Sequence, residues 1–350
     1  MHNIGKSLSA AVFLAGSVFS PAVADLSEHF KDRTITVVIP YGPGGTYDKY
    51  GSTFANHIGQ FLPSKPTVIL QHMPGAGGSK AMNYLYNIAP KQGFHMTVPL
   101  DNLVINQLLR PKRMKYKADK FNYLGSSNQT NAVLAVRTDS GVKKIMDAKN
   151  TQIIGSTSGK SSSTYLFSMF SAKALGLKFK MVTGYKGSSR SMMAMEQGEV
   201  QFTAPNWLAW SSKVPHWFTG PRDGGKGKPF AVAILQNGFE ADPALPKVPM
   251  LRDLVSPKDK PVADFLASAG PLGRGLAYPP GVDPEIVAAG KAAYAKMNAD
   301  KGFVSELKKK KLRLIATSGD EIQRLVVETM KSSSPAVISR LRKMVFGTGS

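Results

Sequence analysis

Four times along the chain a β-branched run leads into a glycine- or serine-rich loop and then into an amphipathic helix. The first unit is Ile35-Thr36-Val37-Val38-Ile39, the loop Pro40 to Gly45, and a helix from Thr46. Tyr47, Tyr50, Phe54, Ile58 and Phe61 fall on one face of that helix, and Thr46 is its expected N-cap. The second unit is Thr67 to Leu70, then Pro74-Gly75-Ala76-Gly77-Gly78, then a helix expected to turn Ala81, Leu85, Ile88 and Ala89 inward. The third is Ile153-Ile154, Gly155 to Ser162, and a helix with Leu166 and Phe170 on its core face. The fourth is Phe179 to Thr183, Gly184 to Ser188, and a helix burying Met192 and Met195. Strand–loop–helix units in series predict an α/β architecture with largely parallel sheets.

Beyond these units, Pro221 to Pro229 has no apolar period and reads as a loop, followed by a buried strand over Phe230 to Leu235. The C-terminal part is more helical. Asp283-Pro284 is a cap with proline at the first helical position, ahead of Val287, Tyr294 and Met297 on one face. Ser318 to Glu321 has the spacing of a capping box, with Ile322, Leu325, Val326 and Met330 behind it.

The N-terminus reads as a secretory leader. Lys6 is its basic region, Leu8 to Phe19 its apolar stretch, and Ala22-Val23-Ala24 a small-x-small cleavage signal before Asp25. That stretch is short for a membrane span, which needs about 20 apolar residues. Removing residues 1–24 leaves 350 − 24 = 326 residues, enough for about two domains. The expected product is soluble and exported, periplasmic in a bacterium. The chain has no cysteine, which excludes disulfide scaffolds, thiolate metal sites and cysteine nucleophiles. Its six histidines form no His-Glu-x-x-His, so no metal site is expected. The net charge is 45 − 23 = +22. Basic and aromatic residues do not interleave as nucleic-acid binding requires, so no nucleic-acid partner is expected. The positive field favours encounters with small anions.

Each loop delivers main-chain N–H groups at a helix start, where the helix dipole favours an anion. Gly44, Gly45, Gly77, Gly78 and Gly159 are candidate ligand contacts, because a missing Cβ lets a ligand reach the backbone. They serve equally as turn formers. Ser161 to Thr164 can bind a carboxylate or cap a helix. Nucleotide fingerprints fail on counting: Lys80 stands where a third glycine belongs, and three residues separate Gly155 from Gly159 where a P-loop needs four. No cofactor is expected. Trp207 and Trp210 share a helix face and, with Trp217, serve either packing or an aromatic stacking surface.

Pro40-Tyr41-Gly42-Pro43-Gly44-Gly45-Thr46-Tyr47-Asp48 resembles the first-loop motif of the tripartite tricarboxylate transporter receptors, also called Bug-type solute-binding proteins. Pro74 to Gly78 is similar to their second loop, and Tyr185-Lys186-Gly187, Gln197 to Val200 and Pro246 to Pro249 match later landmarks in order. The resemblance runs from about Arg33 to about Phe346. It implies a type II periplasmic-binding fold with two α/β domains and a ligand cleft between them. Domain I would comprise 25–131 plus 238–350, and domain II 132–237. The implied ligand is a small organic anion, a di- or tricarboxylate or an aromatic acid, delivered to integral membrane transporter subunits by a monomeric receptor. The implied ligand residues are Tyr41, Gly44, Gly45, Thr46, Gly77, Gly78 and Ser79 on one domain, and Gly159, Ser161, Ser162 and Ser163 on the other. The chain departs from the family pattern at His72, Gln201 and Gln92-Gly93-Phe94, where the family usually has Asn, Asp and Asp-Gly-Tyr.

Two other functions are compatible with the residues. An exported hydrolase or transferase would pair a loop serine with His72 or His95, although no nucleophile-elbow spacing is present. A basic surface-binding protein would use the charge alone.

Overall fold

The structure, a computed structural model, describes residues 21–347. Residues 1–20 of the expected leader lie outside that range, and Pro21 to Ala24 open helix α1 (Pro21–Phe30). The first half continues through β1 (Thr34–Ile39), α2 (Thr46–Ile58), β2 (Thr67–His72), α3 (Ser79–Asn87), β3 (His95–Thr97), α4 (Leu103–Leu109) and β4 (Asn122–Ser126). A second run holds β5 (Ala132–Arg137), β6 (Ile153–Thr157), α5 (Ser163–Leu175), β7 (Phe179–Thr183), α6 (Ser188–Glu196), β8 (Phe202–Thr203), α7 (Trp207–Lys213) and β9 (Ala231–Asn237). The C-terminal part adds α8 (Leu251–Leu254), α9 (Lys260–Ala267), β10 (Gly275–Tyr278), α10 (Pro284–Ala299), α11 (Lys301–Lys309), β11 (Thr317–Ser318), α12 (Gly319–Ser332) and α13 (Pro335–Phe346).

These strands form two sheets, ordered β11-β4-β10-β3-β1-β2 and β7-β6-β8-β5-β9. Each strand–loop–helix unit closes a parallel pair: β1 with β2 and β3, and β6 with β7 and β8. The sheets are mixed, not largely parallel as expected. Strands β4, β5, β9, β10 and β11 pair antiparallel, because they carry the chain between sheets or back from the C-terminal helices. The passages between sheets run side by side. A Cβ at Gly238 would meet the Asn131 side chain, whose Nδ2 donates to Glu240 O at 2.7 Å.

Periodicity fixes most buried faces. Tyr47, Tyr50, Phe54 and Ile58 of α2 are buried, as are Leu166 and Phe170 of α5 and Met192 and Met195 of α6. Asp283 caps α10 through Glu285 N (2.8 Å) and Ser318 caps α12 through Glu321 N (3.2 Å). Ile88 departs from expectation. It follows the last residue of α3 with φ −120°, leaves the helical register, and is 71% exposed while Ala89 is buried. Thr46 also departs: Gly45 is the N-cap and Thr46 the first helical residue.

The first sheet packs over one core, and the second is covered on both faces. One of those faces holds Trp207, Trp210 and Trp217, with Trp210 Nε1 donating to Val133 O at 3.0 Å. They serve packing. The other takes Leu341 and Val345 of α13 together with α8 and α9. Parts of the segment 238–350 thus bury their apolar faces under the second sheet.

Candidate functional site

Helices α2, α5 and α6 point their N-termini at one cavity of about 60 Å³ between the sheets, lined among others by Gly45, Thr46, Ser162, Ser163, Gly187 and Ser188. The geometry follows from chain order, since each of these helices leaves the carboxyl end of a parallel strand. Ser162 Oγ caps α5 through Tyr165 N (3.2 Å). The caps of α2 and α6 are Gly45 and Gly187, which have no side chain to cover the first amides. Those N–H groups and the aligned dipoles favour an anion at the helix starts.

The first loop is braced from behind. Gly44 N donates to Asp48 Oδ2 (2.8 Å), and Asp48 Oδ1 pairs with His72 Nε2 at 2.6 Å. This gives His72 a positioning role at the end of β2.

One wall carries a charged pair that sequence reasoning missed. Arg274 Nη1 lies 3.0 Å from Asp101 Oδ2, and the guanidinium sits 3.6 Å over the Tyr47 ring. Nη2 donates to Thr46 Oγ1 at 3.3 Å. Arg274 is 3% exposed and its Nε has no partner. Burial opposes its charge, but Tyr47 and Asp101 hold its pKa above the ordinary value. Burial, reinforced by Asp101, pushes the Tyr41 phenol well above its usual range, so it stays a neutral donor, bonded to Gly77 O at 3.0 Å. The one signal in the sequence was an arginine between two glycines, Gly273-Arg274-Gly275, at the mouth of the buried run Leu276-Ala277-Tyr278.

Of the candidate residues, Tyr41, Gly45, Thr46, Ser162 and Ser163 line the cavity. The others lie around it. Gly77 and Gly159 face each other at main-chain contact distance. Gly78 packs on Leu100 and Pro40, and Ser79 is buried with an unpartnered hydroxyl. Ser161 O accepts from Asn102 and Asn106, both at 2.8 Å, and its hydroxyl accepts from Arg110 at 2.9 Å. Gly44 does not line the cavity, and it faces Ser189 of α6. The two sides also meet directly: Gly42 N donates to Lys186 O at 2.7 Å, and Ser163 Oγ donates to Asp101 Oδ1 at 2.6 Å. Neither His72 nor His95 lines the cavity.

Two mixed α/β lobes with a cleft lined by helix N-termini define a periplasmic solute-binding fold. Solved structures share it. BugD, a periplasmic binding protein, superposes with TM-score 0.69 at 17% identity, over 90% of this chain and 98% of its own. MatC of Rhodopseudomonas palustris with bound malate gives TM-score 0.67 at 20% identity, over 89% and 99%. The profile of the tripartite tricarboxylate transporter family receptor matches residues 55–342, and the chain belongs to that family. A curated relative, the UPF0065 protein in the tcbD-tcbE intergenic region of Pseudomonas sp. (strain P51), is 23% identical over 207 residues, 57% of this chain. The match spans 60% of that relative's length.

Proposed function

We propose that this chain is an extracytoplasmic receptor that shuts two lobes over a small carboxylate and delivers it to integral membrane transporter subunits. The observation that carries this reading is the convergence of three helix N-termini, two of them capped only by glycine, on one cavity between the sheets. Unscreened amides there bind an anion through charge-assisted hydrogen bonds and need no covalent step. The malate held by MatC supports the ligand class.

In this reading the leader 1–24 directs the chain to the periplasm, where it works as a monomer. Among the described residues, no helix is long and apolar enough to cross a membrane. The lobes are 25–131 plus 238–350 and 132–237, with α8, α9 and α13 packed across to the second. Calorimetry and thermal-shift titration against mono-, di- and tricarboxylates and aromatic acids test the proposal. A saturable shift with at least one carboxylate is expected. A flat response to the whole panel sinks it.

A further inference from the structure

A second cavity, of about 40 Å³, adjoins the first. Asp101, Ser163 and Asn206 line both, so the Asp101–Ser163 hydrogen bond is the partition between them. The chambers differ in chemistry. The first carries the Arg274 guanidinium beside hydroxyls and bare helix amides, so it has a cation in its wall. The second lies beside the passages between the sheets, and its wall mixes Thr130, Asn206 and Asn237 with Phe167, Ala204, Leu266 and Ala269. Among the described residues, no lysine, arginine or histidine lines it, and its one charge is the Asp101 carboxylate.

We infer that the two chambers are the halves of one ligand site, which takes a carboxylate with a single negative charge and a short uncharged tail. This rests on the receptor reading above and narrows its substrate class. The carboxylate head occupies the first chamber, against the N-termini of α2 and α6. The tail displaces the hydrogen bond between Ser163 and Asp101, whose carboxylate keeps its Arg274 partner, and fills the second. A second carboxylate on the tail would be stripped of water beside Asp101 with no cation to balance it, which is strongly unfavourable. Arg274 does not rescue it, because its guanidinium is already paired with Asp101 and it lines the first chamber alone. Thr130 and Asn237, also on the second wall, leave room for one neutral polar group on the tail.

The test is a matched series on the purified chain: acetate, butyrate and pentanoate against succinate, malate and adipate, by calorimetry. Butyrate and pentanoate should bind at least about tenfold tighter than succinate or adipate. Ala269→Phe, which fills the second chamber, should weaken pentanoate more than acetate. Thr130→Lys places a cation there and should raise succinate affinity relative to butyrate. Wild-type affinity for succinate equal to or above that for butyrate overturns the inference while leaving the receptor reading intact. Equal loss of acetate and pentanoate in Ala269→Phe overturns it as well. Silence with every carboxylate removes the receptor reading itself. Should Ala269→Phe fail to fold, the wild-type ranking and Thr130→Lys still decide.

Discussion

Gly77 and Gly159 meet main chain to main chain across the cleft. A Cβ at Gly159 would lie 2.7 Å from the Gly77 nitrogen, and one at Gly77 would lie 2.6 Å from the Ser162 nitrogen. Both positions have positive φ, +67° and +156°. The second loop and the serine loop can therefore touch only while both residues lack side chains.

Closure should fail when that contact is blocked. Gly159→Ala forces the loops apart, so the closed state becomes rarer and apparent affinity falls in proportion. A loss of about tenfold or more in carboxylate affinity is expected. Small-angle scattering at saturating ligand should report a larger radius of gyration than for the wild type. Unchanged affinity with an unchanged radius would show that the glycine pair does not control closure.

Arg274 and Asp101 should be coupled. Arg274→Met leaves a carboxylate in the cleft wall without its counter-charge, and removing one partner of a buried pair costs about 3–5 kcal/mol. Asp101→Asn in that background should recover part of the loss, since it removes the orphaned charge. Urea unfolding of the two single variants and the double variant measures the coupling. Additive losses would mean that the pair contributes nothing as a pair.

Acid stability should depend on Glu306. Burial raises its pKa, but hydrogen bonds from Lys310 and His57 prevail and hold it at about 2, against an ordinary value of 4.5. Its contacts join α11 to α2, with Glu306 Oε2 2.9 Å from His57 Nε2 and Oε1 2.7 Å from Lys310 Nζ. A depressed carboxylate pKa stabilises the fold above 4.5, and that contribution fades as pH falls through about 2. Glu306→Gln should therefore lower the melting temperature at neutral pH, and the gap to the wild type should narrow between pH 4.5 and about 2. A gap independent of pH would assign the loss to packing.

The strand–loop–helix units were legible because they are local: β-branched runs, glycine turns and 3.6-residue periodicity sit within one stretch of chain. Their convergence was legible only through the resemblance, which placed Tyr41, Gly45, Thr46, Ser162 and Ser163 at the cleft. What stayed hidden depends on contacts distant in sequence. Arg274 meets Asp101 across 173 positions, and no spacing rule joins them. Gly187 and Ser188 of the fourth unit also line the cavity. The sequence singles out neither as a ligand contact, because nothing local distinguishes a turn that faces a partner lobe. The same limit explains Gly77 and Gly159: each was visible as a bare backbone position, but not as the other's neighbour.

Gly45 and Gly78 separate the two uses of glycine in these loops. Gly45 has φ −88° and ψ 178°, extended backbone that any residue adopts. Its Cβ would lie 2.9 Å from Ser188 Oγ, the movable tip of a side chain on the facing loop. Gly45→Val should therefore fold, with a loss of about 1 kcal/mol from the poorer helix cap. Its methyl groups would cover the bare amides of α2, so carboxylate affinity should drop by about a hundredfold or more, about 2.7 kcal/mol. Gly78 has φ +92°, and its Cβ would lie 2.5 Å from Leu100 inside the core. Gly78→Val adds backbone strain to overpacking and should cost several kcal/mol, on the order of 3 or more. Melting curves with and without ligand distinguish them: Gly45→Val near the wild-type melting temperature but unresponsive to ligand, Gly78→Val far below it. If Gly45→Val instead unfolds as readily as Gly78→Val, the first loop's glycine serves the turn and not the ligand.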